Sequence, residues 1–250
     1  MPFGFLHGAT IVLNLPNRRN SMGAPVPNET VSRVGPLTLG KCVSGAVNAA
    51  LLTLLPLAFN LPRLEHPIPW LAFAASAVIL ATQPPLKLKE MLSTTAEGRS
   101  GLGIMASAVL VTAAPIVDFG YRRELAPALD SAWFVGGVAV LVLGVWLRLW
   151  AIAALGPFFT AVVAVQPGQT VVQRGPYRFI RHPSYAGALL AALGGALLCR
   201  SLVAGVLTLL TMVPAYLYRI AREEAWLTAQ LGEPYARYRE KSKRLVPFLF

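Results

Sequence analysis

The polar block Arg174-Gly-Pro-Tyr-Arg-Phe-Ile-Arg-His-Pro-Ser-Tyr-Ala-Gly187 concentrates cations, an imidazole and two phenols directly before a long apolar run. About forty residues on, Arg222-Glu223-Glu224 opens a second polar segment, which continues through Leu231-Gly-Glu-Pro-Tyr-Ala-Arg-Tyr238 to Arg244-Leu-Val-Pro247. These residue types suit a ligand that carries charges of both signs. A carboxylate holds an ammonium, a guanidinium or amide donors hold a carboxylate, and phenol rings wall a flat ring system.

Spacing sharpens the second block. Ile220, Glu224, Leu227 and Leu231 fall at i, i+4, i+7 and i+11, so Glu224 lies on the apolar stripe of an amphipathic helix and Glu223 about 100° around it. A carboxylate on a packing face needs a partner, and Arg181, Arg219, Arg222 or a bound cation are the candidates. Tyr235 and Tyr238, one turn apart, suit either interfacial anchors or ligand contacts. Upstream, Arg148 stands inside an apolar helix between Trp146 and Trp150, where an ionised side chain costs roughly 2.5–3.5 kcal/mol at full depth. It lies about two turns from the helix end, so it either snorkels out or anchors an anionic ligand.

The elements that must position these groups belong in lipid. Hydrophobic residues make up 55% of the 250 and charged residues only 13%, and the mean hydropathy is +0.58, far from the roughly quarter-charged composition of a soluble domain. Apolar segments run over 42–60, 67–83, 101–119 and 131–155, followed by 185–199 and 202–219. Each of the first four can cross a bilayer, the second at the short limit. The last two are separated only by Cys199, Arg200 and Ser201 and read as a tight helical hairpin, whose first arm is short enough to stop inside the membrane if Arg200 is buried. Gly187, Ala191 and Gly195 form a small-residue stripe for close helix packing. Gln166-Pro-Gly-Gln169 predicts a turn between two Val-rich runs.

Residues 1–35 read as a cytoplasmic tail, because Arg18 and Arg19 follow the mildly apolar start where a signal peptide would have its basic leader before it. With that end inside, the loops expected outside hold only Arg63, Arg122, Arg123 and Arg200. Most other cations fall inside, as the positive-inside rule asks, and both polar blocks share the cytoplasmic side. The net charge of +11 then points to anionic lipid headgroups rather than nucleic acid. Two cysteines and three scattered histidines give neither a disulfide framework nor a metal cluster.

Taken together, Arg148-Leu-Trp-Ala151, Leu155-Gly156, Phe159-Thr160, the Gly175–Gly187 block, Glu223-Glu224 and Gly232 with Tyr235 and Tyr238 resemble the isoprenylcysteine carboxyl methyltransferase family over roughly residues 140–250. The resemblance implies an all-α polytopic membrane bundle of about six membrane helices, the last two a hairpin, plus a cytoplasmic C-terminal amphipathic helix. Residues 36–130 would shape a lipid-facing entrance and 131–250 the methyltransferase core. It implies S-adenosylmethionine as cofactor, contacted by Tyr177, Arg181, His182, Pro183, Tyr185, Gly187, Glu223 and Glu224, with Arg148, Glu224 and His182 as catalytic residues. Arg148 and the Arg174–Arg178 region would orient a lipophilic thioether acceptor that presents its carboxylate. In-line methyl transfer draws on alignment and water exclusion, so a carboxylate acceptor needs no base, whereas an amine acceptor would require His182 or Glu224 to remove a proton. Phospholipid N-methyltransferases, nicotinamide-dependent sterol reductases and a non-catalytic scaffold are the alternatives.

Overall fold

The computed structural model describes residues 37–83, 96–122, 128–160 and 169–246, and these form a helical bundle. Helix α1 (Leu39–Thr53) is capped by Thr38 and stops ahead of Pro56. Proline at position 56 disfavours helical backbone at Leu55 and removes a donor, so the expected 42–60 span becomes α1 followed by two 3₁₀ turns, Leu55–Leu57 and Leu61–Glu65. Helix α2 (Pro67–Ala81) begins with proline at its first position and His66 as cap. Helices α3 (Ala96–Tyr121) and α4 (Ala132–Leu155) match the next two expected spans. Helix α5 (Pro183–Leu198) follows the first polar block. The tail, residues 1–35, lies outside the described residues, as does most of the expected turn around Gln166–Gln169.

The end of the chain departs from expectation. The segment 202–219 and the amphipathic helix after it are one continuous helix, α6 (Leu202–Leu231), with a π-turn at Thr208–Met212. Nothing between Leu217 and Arg222 breaks a helix, and Pro214, which lacks an N–H and crowds the carbonyl one turn back, is accommodated by the widened turn just before it. The π-turn also sets a face. Ala204, Thr208, Met212, Tyr216, Ile220 and Glu224 are all buried at four-residue intervals. A regular helix would rotate such a series by about 200° over its length, and one inserted residue reduces that to about 100°. Between α5 and α6, Arg200 takes φ 51° and the amides of Arg200 and Ser201 close onto Leu197 and Ala196. Arg200 is exposed, and this turn holds a left-handed position that glycine would fill without strain.

Among the described residues, four helical stretches are long and apolar enough to cross a bilayer: Leu39–Leu57, Ser100–Tyr121, Ala132–Phe158 and Leu202–Leu231. Pro67–Ala81 and Pro183–Leu198 are shorter. Exposed Trp133 and Trp150 on α4 lie 17 positions apart, a rise of about 26 Å, which suits the two aromatic girdles of a bilayer. At the end away from the polar blocks, Arg122 pairs with Asp118 and donates to the carbonyl of Arg200, while Asn60 donates to the carbonyl of Gly120.

The pairing of α4 with α5 is the tightest in the bundle. Gly137, Leu141, Gly144 and Arg148 on α4 face Leu198, Gly194, Ala191 and Gly187 on α5, in antiparallel order. A Cβ on Gly187 would stand 2.6 Å from the Arg148 amide nitrogen, and one on Gly137 2.5 Å from that of Leu198. The small residues therefore let two backbones touch. The third member of the α5 stripe is Gly194, since Gly195 meets nothing within 4 Å. That contrast is testable by thermal unfolding in detergent. Gly144→Val is expected to lose about 2–3 kcal/mol or the fold itself through overpacking, whereas Gly195→Ala should hold or gain up to about 1 kcal/mol from helix propensity. Equal Tm values for the two variants would contradict the seam.

Candidate active site at the meeting of the two polar blocks

The first polar block is held by local geometry before any long-range contact. Gly175, at φ 59°, turns the chain against Trp150 and Ala154, and Arg174 Nε donates to the Ala154 carbonyl at 3.1 Å, capping the end of α4. A 3₁₀ turn (Gly175–Arg178) buries Pro176 and Tyr177. His182 then caps α5, its carbonyl accepting from the amides of Tyr185 and Ala186, and Pro183 takes the first helical position.

The second block folds back over the first. Gly232, at φ 60° and ψ −137°, occupies backbone space reserved for glycine and ends α6. It starts α7 (Glu233–Lys241) in a new direction. Tyr235 and Tyr238 are buried rather than interfacial, and Tyr238 Oη donates to the Tyr177 carbonyl at 2.7 Å. Burial pushes the Tyr238 phenol up to about 12, so it stays protonated as a donor. After α7 the chain pairs with the first block through an isolated parallel bridge between Ile180 and Lys243, with the Arg181 amide donating to the Lys243 carbonyl at 2.7 Å.

Glu224 is the centre of this arrangement. It is 3% exposed, as its place on the apolar stripe required. Its Oε1 accepts from Arg181 Nε at 2.7 Å and stands 3.4 Å from His182 Nε2, while its Oε2 lies 3.2 Å from Arg244 Nη2 and 3.9 Å from Arg239 Nη2. Arg181 also donates to the carbonyls of Ser242 and Arg239. Of the three arginines expected as partners, Arg181 is one. Arg222 is exposed and Arg219 turns away, its Nη1 donating to Ser100 Oγ on α3 at 3.1 Å. Arg239 and Arg244 carried no readable signal as partners, because the chain reversal at Gly232 and the return past Ile180 bring them in.

Glu223 faces different surroundings. Its Oε2 accepts from Tyr185 Oη at 3.0 Å, and Arg219 is hydrogen-bonded to Tyr185 in turn. The Tyr185 ring stacks on His182 at 5.7 Å and packs against Tyr216 at 4.8 Å. Burial pushes the Tyr177 phenol up, Glu223 pushes it the same way and Arg148 partly offsets them, so this ring sits in the field of both charges. Arg148 does not snorkel. It is 3% exposed, its Nη1 donates to Ser184 Oγ at 3.0 Å and to the Ser184 carbonyl at 3.3 Å, and its Nε is buried without a hydrogen-bond partner. The reason is the seam, since Gly187 lets the Arg148 backbone lie against α5 and directs the side chain at the first turn of that helix. Gly187 therefore has a packing role whatever else it touches.

The structure thus gathers Tyr177, Arg181, His182, Pro183, Tyr185, Glu223 and Glu224 at one end of the bundle, with Arg148 and Gly187 one turn deeper. Of the candidate partners of Glu224, Arg219 and Arg222 stand elsewhere, the first against Ser100 and the second exposed. The two glutamates separate by substitution. Glu224→Gln should destabilise the protein by about 2–3 kcal/mol, because it leaves the buried Arg181 guanidinium uncompensated. Glu223→Gln should change Tm little, as its partner is a neutral phenol. Thermal unfolding of both variants checks this, and equal losses would contradict the division.

A family model described as the isoprenylcysteine carboxyl methyltransferase family matches residues 137–229. A protein-S-isoprenylcysteine O-methyltransferase of Schizosaccharomyces pombe is 32% identical over 48% of this chain and 51% of its own length. A probable protein-S-isoprenylcysteine O-methyltransferase of Oryza sativa subsp. japonica is 28% identical over 72% of this chain and 96% of its own. The human protein-S-isoprenylcysteine O-methyltransferase is 31% identical over 53% of this chain and 48% of its own. The chain therefore spans about half the length of two of these relatives and nearly all of the third. The matched stretch runs from Gly137, at the start of the glycine seam, to Ala229, just past the paired glutamates, and over it this chain, with its four apolar helices, is similar to the isoprenylcysteine carboxyl methyltransferase family.

Proposed function

We propose that this protein transfers a methyl group from S-adenosylmethionine to the carboxylate of a lipophilic isoprenylcysteine-like acceptor at the cytoplasmic membrane face. The relatives' names supply the reaction class, and one observation favours a carboxylate over an amine. An amine acceptor must lose a proton, and the candidates to take it, His182 and Glu224, are turned onto each other and onto Arg181 and Arg244 inside the clasp. A carboxylate acceptor is already ionised and needs neither.

The residues present fit the cofactor. Glu223, whose donor is the neutral Tyr185 hydroxyl, offers a carboxylate for an ammonium. Tyr177, Tyr185 and Tyr235 supply apolar and aromatic walls. For the acceptor rather than the cofactor, the unpartnered Nε of Arg148 is a buried cationic donor of the kind a carboxylate requires. Bound S-adenosylmethionine would supply a methyl carried on a sulfonium. The chain's own work is positional: Arg148 fixes the acceptor carboxylate, Glu223 fixes the opposite charge, and the Glu224 clasp holds the loop that carries His182 and Tyr185. Holding acceptor and donor within contact distance accounts for most of the acceleration such a displacement requires. Glu224 and His182 then act through the loop rather than on the reacting atoms.

The remaining elements follow from this reading. Helices α1 to α6 all lie in the membrane, the shorter α2 and α5 included, with α5 and α6 as a hairpin whose turn at Arg200 faces outside. Both chain ends are cytoplasmic, on the side where the cations gather. Helices α1 to α3 shape the lipid-facing entrance and α4 to α7 form the core around the site.

Calorimetry in lipid nanodiscs should show saturable S-adenosylmethionine binding, weakened about tenfold in Glu223→Gln by loss of one charge-assisted bond. With a labelled methyl donor and N-acetyl-S-farnesylcysteine, the product should be base-labile, as an ester is. Absence of saturable binding, or a base-stable product found only in phospholipid headgroups, would overturn the assignment. Arg148→Lys is expected to raise KM for the acceptor with the donor's Kd unchanged, because a compact point charge without the guanidinium fork cannot keep both the Ser184 contacts and the ligand.

A further inference from the structure

The clasp that holds the site together also charges its rim. Among the described residues of the loop after α4, the end of α6, α7 and the segment beyond it, Arg178, Arg222, Arg237, Arg239, Lys241 and Lys243 are exposed cations, whereas the exposed acids are Glu233 and Glu240. Glu233 lies 3.7 Å from Arg237, and Glu224 is buried among its own partners. Arg239 reaches within 3.9 Å of Glu224, and Lys243 bridges to Ile180, two residues from His182. The excess positive charge therefore stands immediately around the site rather than at a distant face.

A lipophilic acceptor seated at Arg148 would carry whatever precedes its modified cysteine outward past this rim. We infer that the rim selects acceptors by charge, favouring a peptide with acidic or neutral residues upstream of the modified cysteine and disfavouring one with a polybasic tail. The physical basis is ordinary. Like charges within a Debye length of about 8–10 Å slow encounter and weaken binding, opposite charges do the reverse, and both effects fade with salt. This inference rests on the methyl-transfer reading for its acceptor chemistry, yet the rim itself is a property of the surface.

The test uses the full chain in phosphatidylcholine nanodiscs, so that the bilayer contributes no net charge. Two peptides ending in farnesylcysteine with a free carboxylate, one with three aspartates upstream and one with three lysines, are compared with N-acetyl-S-farnesylcysteine. The aspartate peptide should show kcat/KM about tenfold or more above the lysine peptide at low ionic strength, with the gap shrinking to about twofold near 0.5 M salt. Reversing the rim with Arg237→Glu and Lys241→Glu together should invert the preference between the two peptides while leaving kcat for N-acetyl-S-farnesylcysteine at saturation unchanged. A lysine peptide that performs as well as the aspartate peptide, or a preference that survives both salt and charge reversal, would overturn the inference. Fluorescence anisotropy of the same two peptides reads the rim without turnover. If no acceptor is methylated, the methyl-transfer reading fails, and peptide binding alone then decides the charge preference: tighter aspartate-peptide binding upholds it and equal binding overturns it.

Discussion

A single carboxylate buried at the end of an apolar bundle constrains everything around it. Glu224 could not remain charged at 3% exposure without partners, and the partners it has come from three other places in the chain: Arg181 and His182 before α5, Arg239 on α7, and Arg244 beyond it. Attraction in such surroundings offsets desolvation only when the geometry is good and the leftover donors are satisfied. Arg181 meets that condition by donating to the carbonyls of Ser242 and Arg239 as well as to Glu224. The loop that carries Tyr177, His182 and Tyr185 is thereby fixed to α6 and α7 by charge, beside the apolar cluster that Ile180 and Leu245 share with Tyr216 and Ile220.

Rotation of about 100° between adjacent helical residues then gives the neighbouring glutamate a different task. Glu224 is used up by arginines, and Glu223, one position earlier, meets the Tyr185 hydroxyl instead. Arg148 is the counterpart on α4. Its exit to solvent is closed because the glycine seam draws α4 against α5 until the Arg148 backbone lies where a Gly187 side chain would be. Small residues at a helix interface lower the separation of two backbones, and here the consequence is electrostatic, since it turns a snorkelling residue into a buried donor with an open Nε.

Much of this was legible in the sequence where periodicity or composition carried it. The apolar spans, the all-helical character and the burial of Glu224 follow from spacing and hydropathy, whereas its partner was left open among Arg181, Arg219, Arg222 and a bound cation. What escaped depended on chain reversals and on small shifts of rotation. Gly194 rather than Gly195 joins the seam, a difference of one position that a stripe of alternating Gly and Ala cannot resolve. Arg239 and Arg244 reach Glu224 only because Gly232 adopts a backbone conformation that redirects α7, and no side-chain pattern encodes that direction. The continuity of α6 was hidden because the apolar run gives way to polar residues after Arg219, a change of composition that is not a break in the helix. Arg148 had two physically sound readings, and the closeness of α5 removes the snorkelling one.

Under the methyl-transfer reading proposed above, positioning would suffice. A site in which both potential bases are bound to one another and to guanidinium groups has surrendered proton transfer in exchange for rigidity. Such a trade is open to an enzyme whose nucleophile arrives ionised and whose donor arrives activated, because the remaining barrier is largely one of alignment and exclusion of water. Rigid elements supply alignment better than loops do. Here the loop has been made rigid from below by the seam under Arg148 and Gly187, and from the side by the Glu224 clasp. The two devices use different physics, close packing and ion pairing, and they converge on the short stretch from Tyr177 to Gly187. Loosening either one would move Tyr185, and with it Glu223's donor, relative to Arg148, so the separation between the site's anionic and cationic ends is set jointly by a glycine and a glutamate that never touch.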